Sequence, residues 1–235
     1  MNLNLFKKND NLSVLILCGG VGQRLRPLTK TIPKPLVKIK DKAMLEYIIN
    51  HFLKYKIDYI IIATGYRHDL IKKFINKKYP NKNIRVINTG VNSEIIDRIK
   101  KVTKELKKNI ILCYGDTLVD INLNNLIFYF QKNIKKIIVS SYELKSTFGI
   151  LDLKDDNNVK KFKEKPKLGI WFNVGYFIFS KEIIKNIGKF KEFKIFLSSL
   201  ANRNKMKTFK HKGKHITVNT ISELEDAKNQ IDKFA

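Results

Sequence analysis

Residues 14–22 read Val-Leu-Ile-Leu-Cys-Gly-Gly-Val-Gly, so that five apolar residues lead directly into a glycine-rich loop. A short continuous apolar run predicts a strand that is buried on both faces, as in a parallel sheet. Glycines after such a strand let the backbone approach a phosphate closely, because no Cβ blocks the way and free N–H groups can donate to the anion. The stretch predicts a phosphate-binding loop, with a simple tight turn as the plainer alternative.

The first 145 residues alternate short apolar runs with longer amphipathic segments. Strands are predicted at residues 14–18, 59–63, 84–88, 110–114 and 136–142, and helices at 43–55, 68–78 and 94–107. This alternation favours a parallel sheet with helices on both faces. We therefore predict an α/β fold.

After residue 145 the pattern changes to shorter strands and helices. Strands are predicted at residues 148–153, 159–162 and 172–179, a turn at 155–158, and helices near 181–187, 193–203 and 221–233. No linker or repeat separates this region from the first. We predict a single domain over residues 1–235, with residues 146–235 as a small lobe of that domain.

The chain is strongly basic, with 47 Lys and Arg residues against 21 Asp and Glu residues and a formal net charge of +26. Such a charge attracts nucleic acid, anionic membranes or small phosphorylated molecules. The lysines are scattered over nearly every segment, as they would be in a lysine-rich proteome without a functional cause. A nucleic-acid-binding protein is the rival hypothesis, although no zinc finger, basic zipper or RNA-binding aromatic signature is present.

No apolar run approaches the roughly 18 residues of a membrane span, and the N-terminus lacks the apolar core of a signal peptide. We therefore predict a cytoplasmic protein without a span.

The cysteines and histidines favour ordinary structural roles. Cys18 and Cys113 lack metal-type spacing and are predicted to be buried thiols. His68, His211 and His215 also lack such spacing and are predicted to be surface or partly buried imidazoles.

Two familiar phosphate loops do not fit the glycine cluster. A Walker A loop ends in Gly-Lys-Ser/Thr, whereas Gly22 is followed by Gln23 and Arg24. The dinucleotide fingerprint needs a third glycine three residues after Gly22, where this chain has Leu25. Neither motif accounts for the loop.

Basic residues follow the loop instead, namely Arg24, Arg26 and Lys34. Guanidinium groups bind phosphate oxygens bidentately, and lysine acts as a point charge. Lys34 stands between Pro33 and Pro35, which we expect to hold it in an extended, preordered stretch. The combination predicts a triphosphate clamp.

Residues 19–35 resemble the signature of the sugar-1-phosphate nucleotidyltransferase family, with Gln23 where that family usually has Thr or Ser. Further motifs of the family are matched in order by Tyr114-Gly-Asp116, Phe148-Gly-Ile150, Glu164-Lys-Pro166 and Asn173-Val-Gly175, and only about the first 12 residues lie outside. The resemblance implies a Rossmann-like, three-layer (GT-A-like) fold with a mostly parallel central sheet. Residues 13–145 would bind the nucleotide, and residues 146–235 would form the acceptor-binding lobe.

The resemblance also implies residue roles for a reaction in which a nucleoside monophosphate is transferred to an acceptor phosphate, with release of pyrophosphate. Catalytic residues would be Arg24, Lys34 and Lys165. Nucleotide contacts would come from Cys18, Gly19, Gly20, Gly22, Gln23, Arg24, Thr89, Gly90 and Gly115. Acceptor contacts would come from Gly149, Glu164, Lys165, Asn173 and Gly175.

The same resemblance implies a Mg²⁺ ion, which prefers oxygen ligands. Asp116 follows a predicted strand and is the first candidate ligand. Asn219 stands where many relatives have an Asp, and some relatives use Asn there, so Asn219 is the second candidate. Asp120 is predicted to be a surface carboxylate, and Asp226 a charge on a helix face.

The resemblance implies the base of the nucleotide and the identity of the acceptor less directly. Asn88-Thr89-Gly90 resembles the Asp-Thr-Gly of glucose-1-phosphate cytidylyltransferases, and residues 64–66 resemble their Cys-Gly-Tyr, which favours CTP. The glycine pair and arginine expected next are replaced by residues 94–97, Glu-Ile-Ile-Asp. Relatives with compact acceptor lobes include phosphocholine cytidylyltransferases, heptose-1-phosphate guanylyltransferases and the CTP:phosphoglutamine cytidylyltransferases of capsule synthesis. The acceptor therefore stays open between a sugar 1-phosphate and a phosphoglutamine-type compound, and a guanylyl- or uridylyltransferase stays an alternative.

Overall fold

The computed structural model describes residues 11–234. The ends of the predicted domain, residues 1–10 and residue 235, lie outside the described residues. The strands are β1 Leu12–Cys18, β2 Lys38–Ile39, β3 Lys42–Ala43, β4 Ile60–Thr64, β5 Ile84–Asn88, β6 Asn109–Tyr114, β7 Thr117–Val119, β8 Ile137–Lys145, β9 Ile150–Leu153, β10 Val159–Lys163, β11 Lys167–Ser180, β12 Met206–His211 and β13 His215–Thr217. The α-helices are α1 Met44–Lys54, α2 His68–Lys78, α3 Ile95–Val102, α4 Leu123–Gln131, α5 Phe193–Asn202 and α6 Ile221–Gln230.

One seven-stranded sheet organises the chain, in the order β12-β8-β11-β6-β1-β4-β5. Strand β1 is parallel to β4 and β6, β4 is parallel to β5, and β12 is parallel to β8. Only β11 runs against its neighbours, pairing antiparallel with β6 and β8. The predicted α/β fold with a mostly parallel sheet is confirmed. Because β11 comes from the second region of the chain, strands from both regions share this sheet.

The core has two parts because side chains alternate between the faces of a strand. Val14 and Ile16 of β1 join the larger cluster, which includes residues of α1, α2, α4 and α6. Leu15 joins the second cluster, with residues of α3 and α5. Strand β4 is buried along its whole length, as its continuous apolar sequence predicts. Helices therefore cover both faces of the sheet.

Several predicted elements need correction. The helix predicted near residues 181–187 is a pair of 3-10 turns, Lys181–Ile184 and Ile187–Lys189, in a segment rich in β-branched isoleucine, which disfavours helix. The helix predicted at 94–107 ends as an α-helix at Val102 and continues as a 3-10 turn. Helix α4 and strands β7, β12 and β13 were not predicted, although the buried residues of α4 follow the helical spacing, at Leu123, Leu126, Ile127 and Phe130. Strand β12 is an edge strand with half of its residues exposed.

Strands β1, β4, β5 and β6 are parallel, so that their carboxyl ends meet at one edge of the sheet. In open α/β sheets, ligands bind at this edge. The glycine loop follows β1 there, and Asp116 follows β6. Within residues 11–234, no helix has the length and apolar character needed to cross a bilayer.

Candidate active site

The glycine loop, residues 19–22, turns sharply at Gly22 and leaves the backbone accessible at Gly20. Gly22 has a φ of 68°, in the left-handed region that favours glycine, and its carbonyl accepts a hydrogen bond of 2.8 Å from Thr29 Oγ1. A Cβ added at Gly20 would meet nothing within 4 Å. The loop therefore has a fixed turn at Gly22 and an unobstructed backbone at Gly20, where an anion can approach.

Lys34 starts a 3-10 turn, Lys34–Leu36, so the expectation of an extended stretch here is wrong. Pro33 alone is extended, at φ −69° and ψ 145°, and the Leu36 amide donates to its carbonyl. Both flanking prolines are buried. The turn directs the Lys34 side chain inward, where it is only 12% exposed.

Three predicted residues converge on the Lys34 ammonium group or on its partners. Lys34 Nζ donates to Asp116 Oδ2 at 2.6 Å and to Asn219 Oδ1 at 2.8 Å. Arg24 Nη2 donates to the same Asn219 oxygen at 3.0 Å. Residues that are up to 195 positions apart in the chain thus form one cluster of two cations, one carboxylate and one amide.

Asp116 is placed by the close packing of β6 on β1. The Gly115 amide donates to the Leu17 carbonyl at 3.0 Å, and a Cβ on Gly115 would lie 2.5 Å from Cys18 Sγ. A larger residue at position 115 would push the two strand ends apart. Burial raises the pKa of the Cys18 thiol well above its usual value, so the thiol is a packing group beneath the site.

Asn219 is placed by the start of helix α6. Its amide donates to Glu223 Oε2 at 2.5 Å, and Thr220 and Glu223 form a reciprocal capping box. The neighbouring Val218 amide donates to the Asp116 carbonyl at 3.3 Å. The helix cap and this backbone contact hold the two oxygen-bearing side chains next to each other.

The two oxygens, Asp116 Oδ2 and Asn219 Oδ1, lie within 2.8 Å of one positive atom, Lys34 Nζ. This arrangement fits a hard cation that takes one or two protein oxygens and completes its shell with water and phosphate. In the part of the chain that the structure describes, no group of three or more His, Cys, Asp or Glu residues could hold a metal. A metal at this site would depend on Asp116 and Asn219.

A cavity of about 360 Å³ lies beside the glycine loop, between the carboxyl ends of β1 and β6 and the start of α3. It is lined by Gly19 and Gly20, residues 91–95, Arg98, Tyr114 and Asp116, together with Leu17. Burial raises the pKa of the Tyr114 phenol to about 12. The cavity adjoins the cluster through Asp116 and has space for a planar base.

Arg98 was not among the predicted site residues, and the structure adds it. Arg98 is 5% exposed, and its guanidinium donates to Thr89 Oγ1 at 2.6 Å and to the carbonyls of Thr64, Gly90 and Val91 at 3.0–3.3 Å. In the sequence, Arg98 directly follows the Glu-Ile-Ile-Asp run, within a helical segment that carries no local signal for a site residue. One buried side chain thus ties the ends of β4 and β5 to α3.

Thr89 and Gly90, predicted to touch the nucleotide, belong to this tied loop. Thr89 is 1% exposed, and its hydroxyl donates to the Thr64 carbonyl at 2.6 Å. Gly90 has a φ of 95°, and its amide donates to Asn88 Oδ1 at 2.9 Å. Lys101 Nζ donates to the Thr89 carbonyl at 2.6 Å. The Thr89 side chain is used within the protein, so a ligand would meet the backbone of this loop.

The acceptor residues fall into two groups. Asn173 and Gly175 lie on β11, where Asn173 pairs with Ser141 of β8 and a Cβ on Gly175 would lie 2.5 Å from the Tyr114 ring of β6. Glu164 and Lys165 are exposed at the end of the β9–β10 hairpin, with 3.9 Å between Lys165 Nζ and Glu164 Oε1. Within residues 11–234, neither has a polar contact with the cluster around Lys34.

Gly149 and Gln23 complete the predicted positions. A Cβ on Gly149 would lie 2.6 Å from the Phe162 ring and 3.2 Å from Glu164 Oε2, so glycine lets the chain before β9 pass close to the end of β10. Gln23 begins the short 3-10 turn after the glycine loop and is exposed. Its side chain has no hydrogen bond to any described residue, which leaves it free to face a ligand.

Asp120 is not the free surface carboxylate that the sequence predicts. Its Oδ1 lies 2.9 Å from His211 Nε2 and accepts from the Lys214 amide at 2.6 Å. His211 is 6% exposed, so the carboxylate ties β7 to the turn between β12 and β13. Asp226 is exposed on α6, as predicted.

Two partly buried histidines predict a pH-dependent stability. Burial lowers the pKa of His51 and of His215 from the usual 6.5 to about 4. The unfolded chain takes up these protons first as the pH falls, so the free energy of unfolding should decline below pH 6.5, by at most about 1.4 kcal/mol per pH unit for each histidine. Denaturant unfolding at several pH values between about 7 and 5 measures this slope. His215→Gln should flatten it, and an unchanged slope would contradict the prediction.

Comparisons with known proteins identify the family of this chain. The family model described as Nucleotidyl transferase matches residues 13–221. The D-glycero-alpha-D-manno-heptose 1-phosphate guanylyltransferase of Campylobacter jejuni is 29% identical over 189 residues, covering 77% of this chain and 82% of the relative. The probable glucose-1-phosphate cytidylyltransferase of Bacillus subtilis is 27% identical over 240 residues, covering 91% and 93%.

Comparison with solved structures shows that the similarity includes the fold. HddC from Yersinia pseudotuberculosis, complexed with GMP-PN, has a TM-score of 0.71 at 26% identity and covers 93% of this chain and 99% of its own. UDP-glucose pyrophosphorylase complexed with UDP-glucose has a TM-score of 0.74 at 18% identity, which shows a shared fold. Since the family model matches most of the chain, the protein belongs to the nucleotidyl transferase family.

Proposed function

We propose that the protein is a Mg²⁺-dependent nucleotidyltransferase of the cytoplasm that moves a nucleoside monophosphate onto the phosphate of a small phosphorylated acceptor. The observation that carries this proposal is the convergence of Arg24, Lys34, Asp116 and Asn219 next to the open backbone at Gly20. Two cations beside a glycine loop suit a triphosphate, and the adjoining cavity of about 360 Å³ suits its base.

In the proposed reaction, an oxygen of the acceptor phosphate attacks the α-phosphorus of the nucleotide, and the bond to the leaving pyrophosphate breaks. Such transfers need positioning and charge stabilisation more than covalent chemistry. Bound Mg²⁺ would neutralise charge on the phosphates. Arg24 would hold the β and γ phosphates and stabilise the leaving pyrophosphate. Lys34, released from Asp116 and Asn219, would lie between the nucleotide phosphate and the attacking oxygen.

CTP is the favoured nucleotide, and GTP or UTP is the alternative. The turn at residues 88–90 resembles the corresponding turn of cytidylyltransferases, and a cytidylyltransferase is among the relatives that match nearly the whole chain. Guanylyltransferases are equally similar in sequence, which supports the alternative. The names of both relatives contain a sugar 1-phosphate, the acceptor class that we propose alongside a phosphoglutamine-type acceptor, with Glu164 and Lys165 contacting it.

Arg24→Ala is expected to lower kcat by roughly 10²- to 10³-fold, because it removes a preorganised cation that would meet the leaving pyrophosphate. The measurement is pyrophosphate release with Mg²⁺ and saturating substrates. Arg203→Ala is the control, since Arg203 is exposed after α5 and its side chain contacts no member of the cluster among the described residues. Equal rates for Arg24→Ala and Arg203→Ala would contradict the proposed role.

Asn219→Asp is expected to tighten Mg²⁺ binding several-fold, because a second carboxylate would replace a neutral amide beside Asp116. Calorimetric titration of the protein with Mg²⁺ checks this without turnover. Asn186→Asp, an exposed site on the 3-10 turns, makes the same charge change elsewhere. If both variants bind Mg²⁺ like the unaltered protein, Asn219 is not a ligand.

A further inference from the structure

A second recess, of about 400 Å³, lies where β8 and β12 end and β11 begins. Four lysines line it, Lys145, Lys167, Lys210 and Lys212, and none of its lining residues lines the cavities beside the glycine loop. The recess is therefore separate from the clamp formed around Lys34.

The charge in this recess is not balanced by the protein. Glu143 is the one carboxylate in the lining, and its Oε2 pairs with Lys167 Nζ at 3.3 Å. Lys145, Lys210 and Lys212 form no ion pair with any residue in the range 11–234. Gathering like charges is unfavourable, and an anion bound among them would offset the repulsion.

The recess also presents aromatic rings. Trp171 is half-buried, and Lys210 Nζ lies 4.5 Å from its ring centre. The Tyr142 ring is fixed by stacking on His215, with 5.5 Å between the ring centres. Rings among ammonium groups suit a ligand that combines a ring with a negative charge, because the ring can stack while the charge is neutralised.

We propose that this recess binds a phosphate-bearing ring compound, either a sugar phosphate or a nucleotide, independently of the triphosphate clamp. The phosphate lies among Lys145, Lys210 and Lys212, and the ring lies against Trp171.

Edge protection is the competing explanation for one of these lysines. Strand β12 is at the edge of the sheet, and lysines on an edge strand block unwanted pairing. That explanation covers Lys210 alone, because β12 ends at His211 and Lys212 follows it. Lys145 and Lys167 belong to the interior strands β8 and β11, where they are directly paired, so edge protection gives no reason for their presence in the recess.

Trp171 is the only tryptophan of the chain, so its fluorescence reports on the recess. The full chain is titrated, with chelator present, with glucose 6-phosphate, a nucleoside monophosphate, inorganic phosphate and glucose. We expect a saturable change with at least one phosphorylated ring compound, a weaker one with inorganic phosphate and none with glucose. The compound that saturates at the lower concentration identifies the source of the ligand. No saturable change, or equal responses to inorganic phosphate and both ring compounds, would overturn the proposal.

Substitutions test whether the ligand binds in the recess. Lys210→Ala/Lys212→Ala should weaken the response at least tenfold, whereas Lys72→Ala/Lys73→Ala, an equal charge change on the exposed side of α2, should leave it unaltered. Equal weakening by both pairs would mean attraction by net charge alone and would overturn the proposal. Arg24→Ala should keep the response, because Arg24 does not line the recess. Loss of the response in Arg24→Ala would assign the ligand to the clamp instead.

Discussion

Lys34→Ala is expected to lower kcat by roughly 10³-fold while the fold is retained, since preorganised charge contacts are worth about this much in catalysis. Lys34 is the one residue whose side chain binds both Asp116 and Asn219 among the described residues. Alanine would remove the cation proposed to lie between nucleotide and acceptor phosphates. It would also leave the Asp116 carboxylate, 30% exposed, without its ion-pair partner.

Two comparisons make this prediction specific to Lys34. Lys38→Ala removes an equal charge from the exposed side of β2 and should retain full kcat. Lys34→Arg should fail to restore the rate, because a planar guanidinium does not replace a compact ammonium between two oxygens. The role of Lys34 would be contradicted if Lys34→Ala retained kcat within about threefold while its thermal stability matched that of the unaltered protein.

Arg98→Met is expected to lower the free energy of unfolding by about 3 kcal/mol and to weaken nucleotide binding at least tenfold. The Gly90 and Val91 carbonyls would lose their buried donor, and each such loss costs about 1–3 kcal/mol. The loop that lines the proposed base cavity would then lose its tie to β4. Methionine keeps much of the apolar stem, so the loss comes mainly from the guanidinium contacts.

The control for Arg98 is Arg203→Met, at an exposed position after α5, which should change the free energy of unfolding by less than about 0.5 kcal/mol. Denaturant unfolding gives the stability, and equilibrium titration with nucleotide gives the affinity. If Arg98→Met lost stability but bound nucleotide with unchanged affinity, Arg98 would be a core residue without influence on the base cavity.

Much of this site could be predicted because its residues lie in local patterns with a direct physical meaning. A buried strand followed by glycines predicted the loop at residues 19–22, and the resemblance to the family identified Asp116 directly after a predicted strand. Parallel strands bring both to one sheet edge, and the structure places them there. The contact of Lys34 with Asp116 depends in addition on the 3-10 turn Lys34–Leu36, which directs the Lys34 side chain inward.

The parts that could not be predicted depend on tertiary contacts. Arg98 lies in an ordinary helical segment, and only packing of α3 against the ends of β4 and β5 gives it four acceptors. Asp120 looks like any surface carboxylate until the β12–β13 turn brings His211 to it. The 3-10 turn at Lys34 overrides the extended geometry that a residue before proline prefers.

The most direct test of the central claim is pyrophosphate release measured for CTP, GTP, UTP and ATP against a panel of sugar 1-phosphates and other phosphorylated acceptors. We predict that at least one pair, with CTP favoured, turns over with Mg²⁺ and stops when a chelator is added. A nucleic-acid-binding protein would instead bind nucleic acid without metal, with an affinity that falls steeply with salt. If no pair releases pyrophosphate in the presence of Mg²⁺, the proposed function is contradicted.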